Sequence, residues 1–374
     1  MHHFTSNCFV RRTRGKRTTS INRSLRPCSS PSSSNRPTAK ESPSRAQRTD
    51  MQDDEYVSEG VRPASHAGTW YESSTRQLQG QLEGWLDEVK LEEQTPVDGA
   101  RVIIAPHAGY SYSGPCAAWA YKALDVSPST KRVFVLGPSH TYYLRGMALT
   151  TFHKYATPLG DFATDTTTLG SLYSTGSFGL IPRKRDIEEH SLEMHIPYLY
   201  AMLKLVLPTD AEVPPIVPIL IGDISGDKEK EAGRILAPYL SNPENSFIVS
   251  SDFCHWGLRF QYTAYVPSST IPDSGPKRLR SSEEPSGQSI HESIKVLDDA
   301  AIEAIETGSH DKFLSNLRCT QNTVCGRHPI GVVMAAMEAL NTGKKFKFVR
   351  YERSSLVTDV DDSSVSYGSA YAVL

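Results

Sequence analysis

Three apolar runs in the chain lead into titratable side chains. Ile103-Ile104-Ala105-Pro106 precedes His107, and Val135-Leu136-Gly137-Pro138-Ser139 precedes His140. Phe247-Ile248-Val249-Ser250-Ser251 leads to Asp252 and then His255. Imidazoles and carboxylates in such company hold a transition metal or move protons. Ligands of open α/β sheets bind outside the carboxyl ends of the strands. If the runs are neighbouring strands, these four side chains converge on one pocket. Spacing alone leaves open a metal centre and a metal-free acid/base site in which Asp252 and His255 form an orienting pair.

Two further groups extend the set. In His190-Ser191-Leu192-Glu193-Met194-His195-Ile196-Pro197, a helix would put His190 and Glu193 on one face. His195 would then lie about 140° around the axis from His190, so both turn inward only if the helix ends or bends. Pro197 favours such a break. Cys325-Gly326-Arg327-His328-Pro329-Ile330-Gly331 opens an amphipathic pattern carried by Ile330, Val333, Met337 and Leu340. A thiol before a helix N-terminus is expected to ionise easily, with Arg327 and His328 pushing the same way. Cys116 lies in an Ala-rich helical pattern and reads as core, and Cys254 fits the core as well. His153, His291 and His310 read as solvated. Classical zinc spacing, a P-loop and a G-x-G-x-x-G segment are all absent from the sequence.

The elements that must position these residues follow from the same runs. Val102–Ala105, Val133–Leu136, Ile216–Ile221 and Phe247–Val249 are continuously apolar, as strands covered on both faces are. Helical periodicity separates several of them: Leu78, Leu82, Trp85, Leu86 and Val89; an Ala-rich stretch near 115–125; 190–206; 228–240; and 292–306. The alternation predicts an α/β domain, a mainly parallel or mixed central sheet flanked by helices. Val365, Tyr367, Ser369, Tyr371 and Val373 repeat with period two, which predicts a strand buried on one face only. Residues 266–289 are Pro/Ser-rich and predict a mobile surface loop. One domain is expected over 55–374.

Composition bounds the function classes. Of 374 residues 38% are hydrophobic, enough for a sizeable core, and no apolar run is long enough to span a membrane. The net charge of −2 conceals about +9 in the first fifty residues and about −11 in the rest. An acidic folded part argues against nucleic acid as the partner. The six cysteines form no C-x-x-C pair, so reduced thiols and an intracellular, cytoplasmic setting are expected. Residues 1–54 are Ser/Arg-rich and predict a disordered tail. Such a tail is a transit peptide for mitochondria, a solvated extension, or the product of a start upstream of Met51.

Six segments together resemble the Memo family: Ser65-His66-Ala67-Gly68-Thr69-Trp70-Tyr71, IIAPHAGYSYSG (103–114), VLGPSH (135–140), EHSLEMHIPYL (189–199), SSDFCHWG (250–257) and CGRHPIG (325–331). They occur in the family's order, and the resemblance covers roughly residues 60–374. The resemblance implies a single domain folded like class III extradiol dioxygenases, the non-haem iron enzymes that open catechol rings. It implies His107 and His140 as metal ligands, and Cys325 as the third where those enzymes have a carboxylate. Asp252, His190, His195 and His255 are implied as further pocket residues with catalytic roles. Iron or copper and a redox role follow, with a small-molecule or oxygen-derived substrate. The other implied role is a signalling adaptor that binds phosphotyrosine peptides, Trp70 and Tyr71 forming aromatic walls and Arg327 meeting the phosphate. A thiolate is softer than a carboxylate and itself oxidisable, so ring cleavage is not expected. The tail and the 266–289 stretch, which reads as an insertion, depart from the family layout.

Overall fold

Apolar runs rich in Val and Ile become the centre of the molecule, because branched side chains fit a pleated surface covered on both sides. The computed structural model describes residues 56–208, 211–281 and 283–374, so the tail predicted for 1–54 lies outside the described residues. A nine-stranded sheet runs through this region. Its strands are β1 (Val102–Ala105), β2 (Arg132–Pro138), β3 (Met147–Leu149), β4 (Phe178–Leu180), β5 (Ile216–Ile221), β6 (Asn245–Ser250), β7 (Asp252–Trp256), β8 (Phe346–Arg353) and β9 (Ser364–Ala372). The spatial order is β7-β9-β1-β6-β2-β5-β3-β4, and β8 pairs with β9 along its other side.

The four central strands, β1-β6-β2-β5, are parallel, while β9 and β3 flank them antiparallel, so the sheet is mixed. Register levels their ends: Ala105 pairs with Ser250, Leu136 with Val249, and Pro138 with Ile221. His107, Asp252 and His140 therefore leave the sheet at one edge from three adjacent strands. This is the arrangement the three apolar runs predicted.

Helices cover both faces. Ile103, Val133, Val135 and Ile248 pack against α1 (Thr75–Glu88), α2 (Tyr110–Ala123) and α5 (Ile196–Val206). Helices α3 (Thr166–Tyr173) and α4 (Arg183–Glu188) are short and precede α5. Val102, Ile104, Phe134, Leu136 and Val249 point the other way. They meet α6 (Gly226–Ser241), α7 (Ile290–Glu306), α8 (His310–Thr320) and α9 (Arg327–Ala339). No described helix is long and apolar enough to cross a membrane.

Two expectations change. Strand β9 is buried on both faces rather than one. Its small residues admit neighbouring rings: a Cβ at Gly368 would lie 2.9 Å from Phe253 and 3.0 Å from Phe348. Small polar residues in a strand need not mean water. Residues 266–289 are largely exposed, yet they are tied down. Ala264–Tyr265 pairs with Lys277–Arg278, and Val266 and Leu279 join Trp256 and Ile294 in a separate apolar cluster.

Candidate metal centre

Each imidazole at the sheet edge is aimed by a hydrogen bond to its inner nitrogen. His107 follows β1, and its backbone N–H donates to Asp252 Oδ1 at 2.9 Å. Its Nδ1 is 2.6 Å from Ser250 Oγ at the end of β6. Ser250 gives its one hydroxyl hydrogen to Ser191 O at 2.7 Å, so His107 Nδ1 must be the donor. That tautomer leaves the Nε2 lone pair facing the pocket.

His140, after β2, is held by Glu189. Its backbone N–H donates to Oε2 at 2.7 Å, and its Nδ1 is 3.2 Å from Oε1. Glu189 also accepts from the backbone N–H groups of His190 and Ser191. Burial works against its ionisation, but the His140 hydrogen bond and the neighbouring imidazoles outweigh it and hold the carboxyl at about 2. Gly137 admits this segment, since a Cβ there would lie 2.7 Å from Ser191 Oγ and 2.9 Å from Leu192.

The predicted helix over 190–206 is instead a turn at His190, a 3-10 turn (Glu193–His195), and then α5. This break separates the two histidines. His190 stacks on His140 at 4.6 Å between ring centroids and is 5.5 Å from His107. Ligand atoms of His107, His140 and His190 all lie within 4.8 Å of one another. His195 turns inward to a separate place, its Nδ1 2.8 Å from the Tyr121 hydroxyl and its buried Nε2 without a partner.

Cys325 also approaches His107. Its Sγ is 3.3 Å from His107 Nε2 and accepts the Asp252 N–H at 3.2 Å. It forms a second compact group with His107 and Asp252. Gly326 allows this approach, because a Cβ there would sit 2.3 Å from Ser250 O. His255 Nδ1 faces two carbonyls, Phe253 O at 2.9 Å and Thr323 O at 3.2 Å, so it donates and leaves Nε2 free.

Burial, then the nearby His140 and His190, push His107 well below the ordinary histidine range; burial takes His190 and His195 to about 3. All three are therefore neutral, the form that binds metal. Burial raises Asp252 against the pull of His255.

The easily ionised thiol expected at Cys325 is corrected. Burial and the Asp252 charge push it well above the usual range. Arg327 and His328 pair with carboxylates instead: His328 Nδ1 is 2.6 Å from Glu229, and the Arg327 guanidinium is 3.8 Å from Asp223. His310, expected in water, is fully buried and 2.6 Å from Glu229. Tyr71 is buried and donates to Glu193 Oε1 at 2.8 Å, so it forms no open wall. Trp70 is 37% exposed and 4.4 Å from the His190 ring.

A cavity of about 350 Å³ opens over the site, lined by His140, Asp223, Asn322, Cys325 and Arg327 among others. Sequence reasoning did not single out Ser250 and Glu189, the residues that aim the two histidines. Their signal was adjacency to His190 and Asp252 in the motif segments. Gly137 and Gly326 carried a similar unread signal.

A mixed α/β sheet with a pocket of histidines, Asp252 and Cys325 at its carboxyl edge defines a single dioxygenase-like domain. The family model described as Memo-like protein matches residues 62–371, and the chain belongs to that family. Protein MEMO1 of Xenopus laevis is 43% identical over 316 residues, covering 84% of this chain and 97% of its own. Protein MEMO1 of Homo sapiens is 42% identical over 311 residues, covering 82% and 96%. Protein memo-1 homolog of Caenorhabditis elegans is 41% identical over 315 residues, covering 83% and 82%.

Proposed function

We propose that this protein binds one iron or copper ion on His107, His140 and Cys325 and serves in redox chemistry on a small or oxygen-derived substrate. The observation that carries this reading is that His107, whose Nε2 lies 3.3 Å from the Cys325 sulfur, belongs to two compact ligand groups, one with His140 and His190 and one with Asp252 and Cys325. A soft thiolate with imidazoles suits copper and iron, and the bound ion would supply one-electron chemistry. His190 stands close enough to add a further nitrogen. Asp252 orients His107 through its backbone and approaches its ring at 4.0 Å. His255, with Nε2 free, is the residue placed to move a proton. His195 has no such access, since its ring is fully buried against Tyr121. Free thiols at Cys116, Cys254, Cys319 and Cys325 suit a reducing compartment such as the cytoplasm.

Metal analysis of protein purified anaerobically tests the reading, beside His107→Ala, His140→Ala and Cys325→Ser. Near-stoichiometric iron or copper in the parent, lost in all three variants, is expected. A parent that takes up neither Fe(II) nor Cu(I) overturns it. A second reading, an adaptor for phosphotyrosine-type peptides, draws on exposed Trp70 beside His190 and Arg327 in the cavity wall. Peptide binding that survives His140→Ala in metal-free protein favours it.

A further inference from the structure

The two sets of ligand atoms that share His107 differ in chemistry. One joins it to the nitrogens of His140 and His190, the other to Asp252 and Cys325, and within each set the atoms lie within 4.8 Å of one another. Neither set contains both His140 and Cys325. An ion therefore meets two different surroundings, one of nitrogen alone and one with a thiol and a carboxylate.

The nitrogen set is held in place by its neighbours. Ser250 fixes His107 with Nδ1 as donor, which leaves that ring a single lone pair, on Nε2. Glu189, 1% exposed, accepts from the ring and backbone of His140 and from the backbone N–H of His190. The His190 ring packs on His140, centroids 4.6 Å apart, and on Trp70 at 4.4 Å. Trp70 in turn meets His66 at 5.6 Å, and His66 Nδ1 is 2.8 Å from the buried Glu193 carboxylate. None of these contacts involves Cys325. Carboxylates and hydroxyls that back imidazoles in this way commonly support a zinc-type ion.

We infer that His107, His140 and His190 form a thiol-free station for a borderline divalent cation, of which Zn(II) is the type. Imidazole nitrogen suits such ions, whereas soft Cu(I) favours the Cys325 thiolate. His107 belongs to both sets and has one free lone pair, so an ion in one position excludes an ion from the other. That exclusion rests on the redox reading above, which puts an ion on Cys325; the nitrogen station stands without it. His140 is partly exposed and lines the cavity of about 350 Å³, which gives ions a way in. A divalent ion on the three nitrogens keeps Cu(I) from its position. One shared histidine makes that selection.

The test uses metal-free full-length protein under anaerobic conditions, with Co(II) as the optical probe for Zn(II). The variants are Cys325→Ser and His190→Phe, which keeps a ring in the stack, and thermal melts confirm their folding. In the parent, one Co(II) should bind, with visible ligand-field bands and no thiolate-to-cobalt charge-transfer band in the near ultraviolet. His190→Phe should weaken Co(II) binding by at least the roughly 10- to 100-fold that loss of an orienting partner costs, and should leave Cu(I) affinity unchanged. Cys325→Ser should do the reverse. Cu(I) added to the Co(II) form should release one cobalt for each copper bound. A thiolate band in the parent, equal Co(II) affinity in parent and His190→Phe, or Co(II) and Cu(I) bound together overturns the inference. A parent that takes Co(II) on nitrogen but neither Fe(II) nor Cu(I) removes the redox reading and leaves the station. One that takes Cu(I) but no Co(II) removes the station and leaves the redox reading.

Discussion

Ser250 Oγ stands 2.6 Å from His107 Nδ1 and is already committed as a donor to Ser191 O. One hydroxyl therefore fixes both the tautomer of a metal-facing imidazole and the segment that carries His190. Partners of this kind, removed from metal-bound histidines, typically cost 10- to 100-fold in affinity, roughly. Ser250→Ala should weaken Fe(II) or Cu(I) binding by about that factor, measured by competition with a chelator. Parent-like affinity in a folded Ser250→Ala protein would show that His107 needs no orienting partner.

Glu189 receives five hydrogens, from His140 N and Nδ1 and from the N–H groups of Thr141, His190 and Ser191. A carboxylate can accept them all, whereas an amide must turn its NH2 toward some of the donors. Glu189→Gln should thus cost about 1–3 kcal/mol of stability. It should also loosen His140 and His190 together. Urea denaturation and metal titration check the two effects, and loss of neither would deny Glu189 its organising place.

The strand ends were legible because covered parallel strands read as unbroken apolar runs, and His107, His140 and Asp252 sit directly after them. The remainder depended on tertiary contacts that no local pattern encodes. His190 and His195 are separated by a turn whose position is set by Glu189 gathering nearby N–H groups. Cys325 lost its expected acidity to burial and the Asp252 charge, while Arg327 and His328 beside it in sequence pair with Asp223 and Glu229 in space. His310 follows a Gly-Ser pair that suggests solvent, yet it caps a buried carboxylate 81 residues away. Strand β9 alternated polar and apolar residues because Gly368 and its small neighbours make room for Phe253 and Phe348.

Gly326 permits the Cys325 turn to close on the end of β6. A Cβ there would meet Ser250 O at 2.3 Å and Ser251 Cβ at 2.4 Å, and the first of these is backbone and cannot step aside. Gly326→Ala should destabilise the protein by about 1–3 kcal/mol and displace the thiol from His107. Gly84, exposed in α1 with nothing within 4 Å of an added Cβ, is the control. Gly84→Ala should stabilise by about 0.5–1 kcal/mol, because alanine suits a helix interior better. Thermal melts that rank the two variants the other way would reject the steric account.

Glu229 is buried between two imidazoles, 2.6 Å from His310 Nε2 and 2.6 Å from His328 Nδ1, and ties α6 to α8 and α9. Burial lowers His310, but the Glu229 hydrogen bond and charge prevail and raise it above its ordinary 6.5. Burial raises Glu229, but the two imidazoles prevail and bring it below its ordinary 4.5. A raised histidine stabilises fully below its unfolded value, and loses that contribution as pH climbs through the folded one. A lowered carboxyl stabilises above its unfolded value, and loses that contribution as pH falls through the folded one. The network therefore contributes most between pH 4.5 and 6.5, the span bounded by the two ordinary values. Breaking one side of a buried charged pair costs about 3–5 kcal/mol, so Glu229→Gln should lose roughly that much near pH 6 and less at alkaline pH. Denaturation of parent and variant across pH measures the difference. A gap that widens as pH rises above neutrality would mean that His310 is not charged in the folded protein.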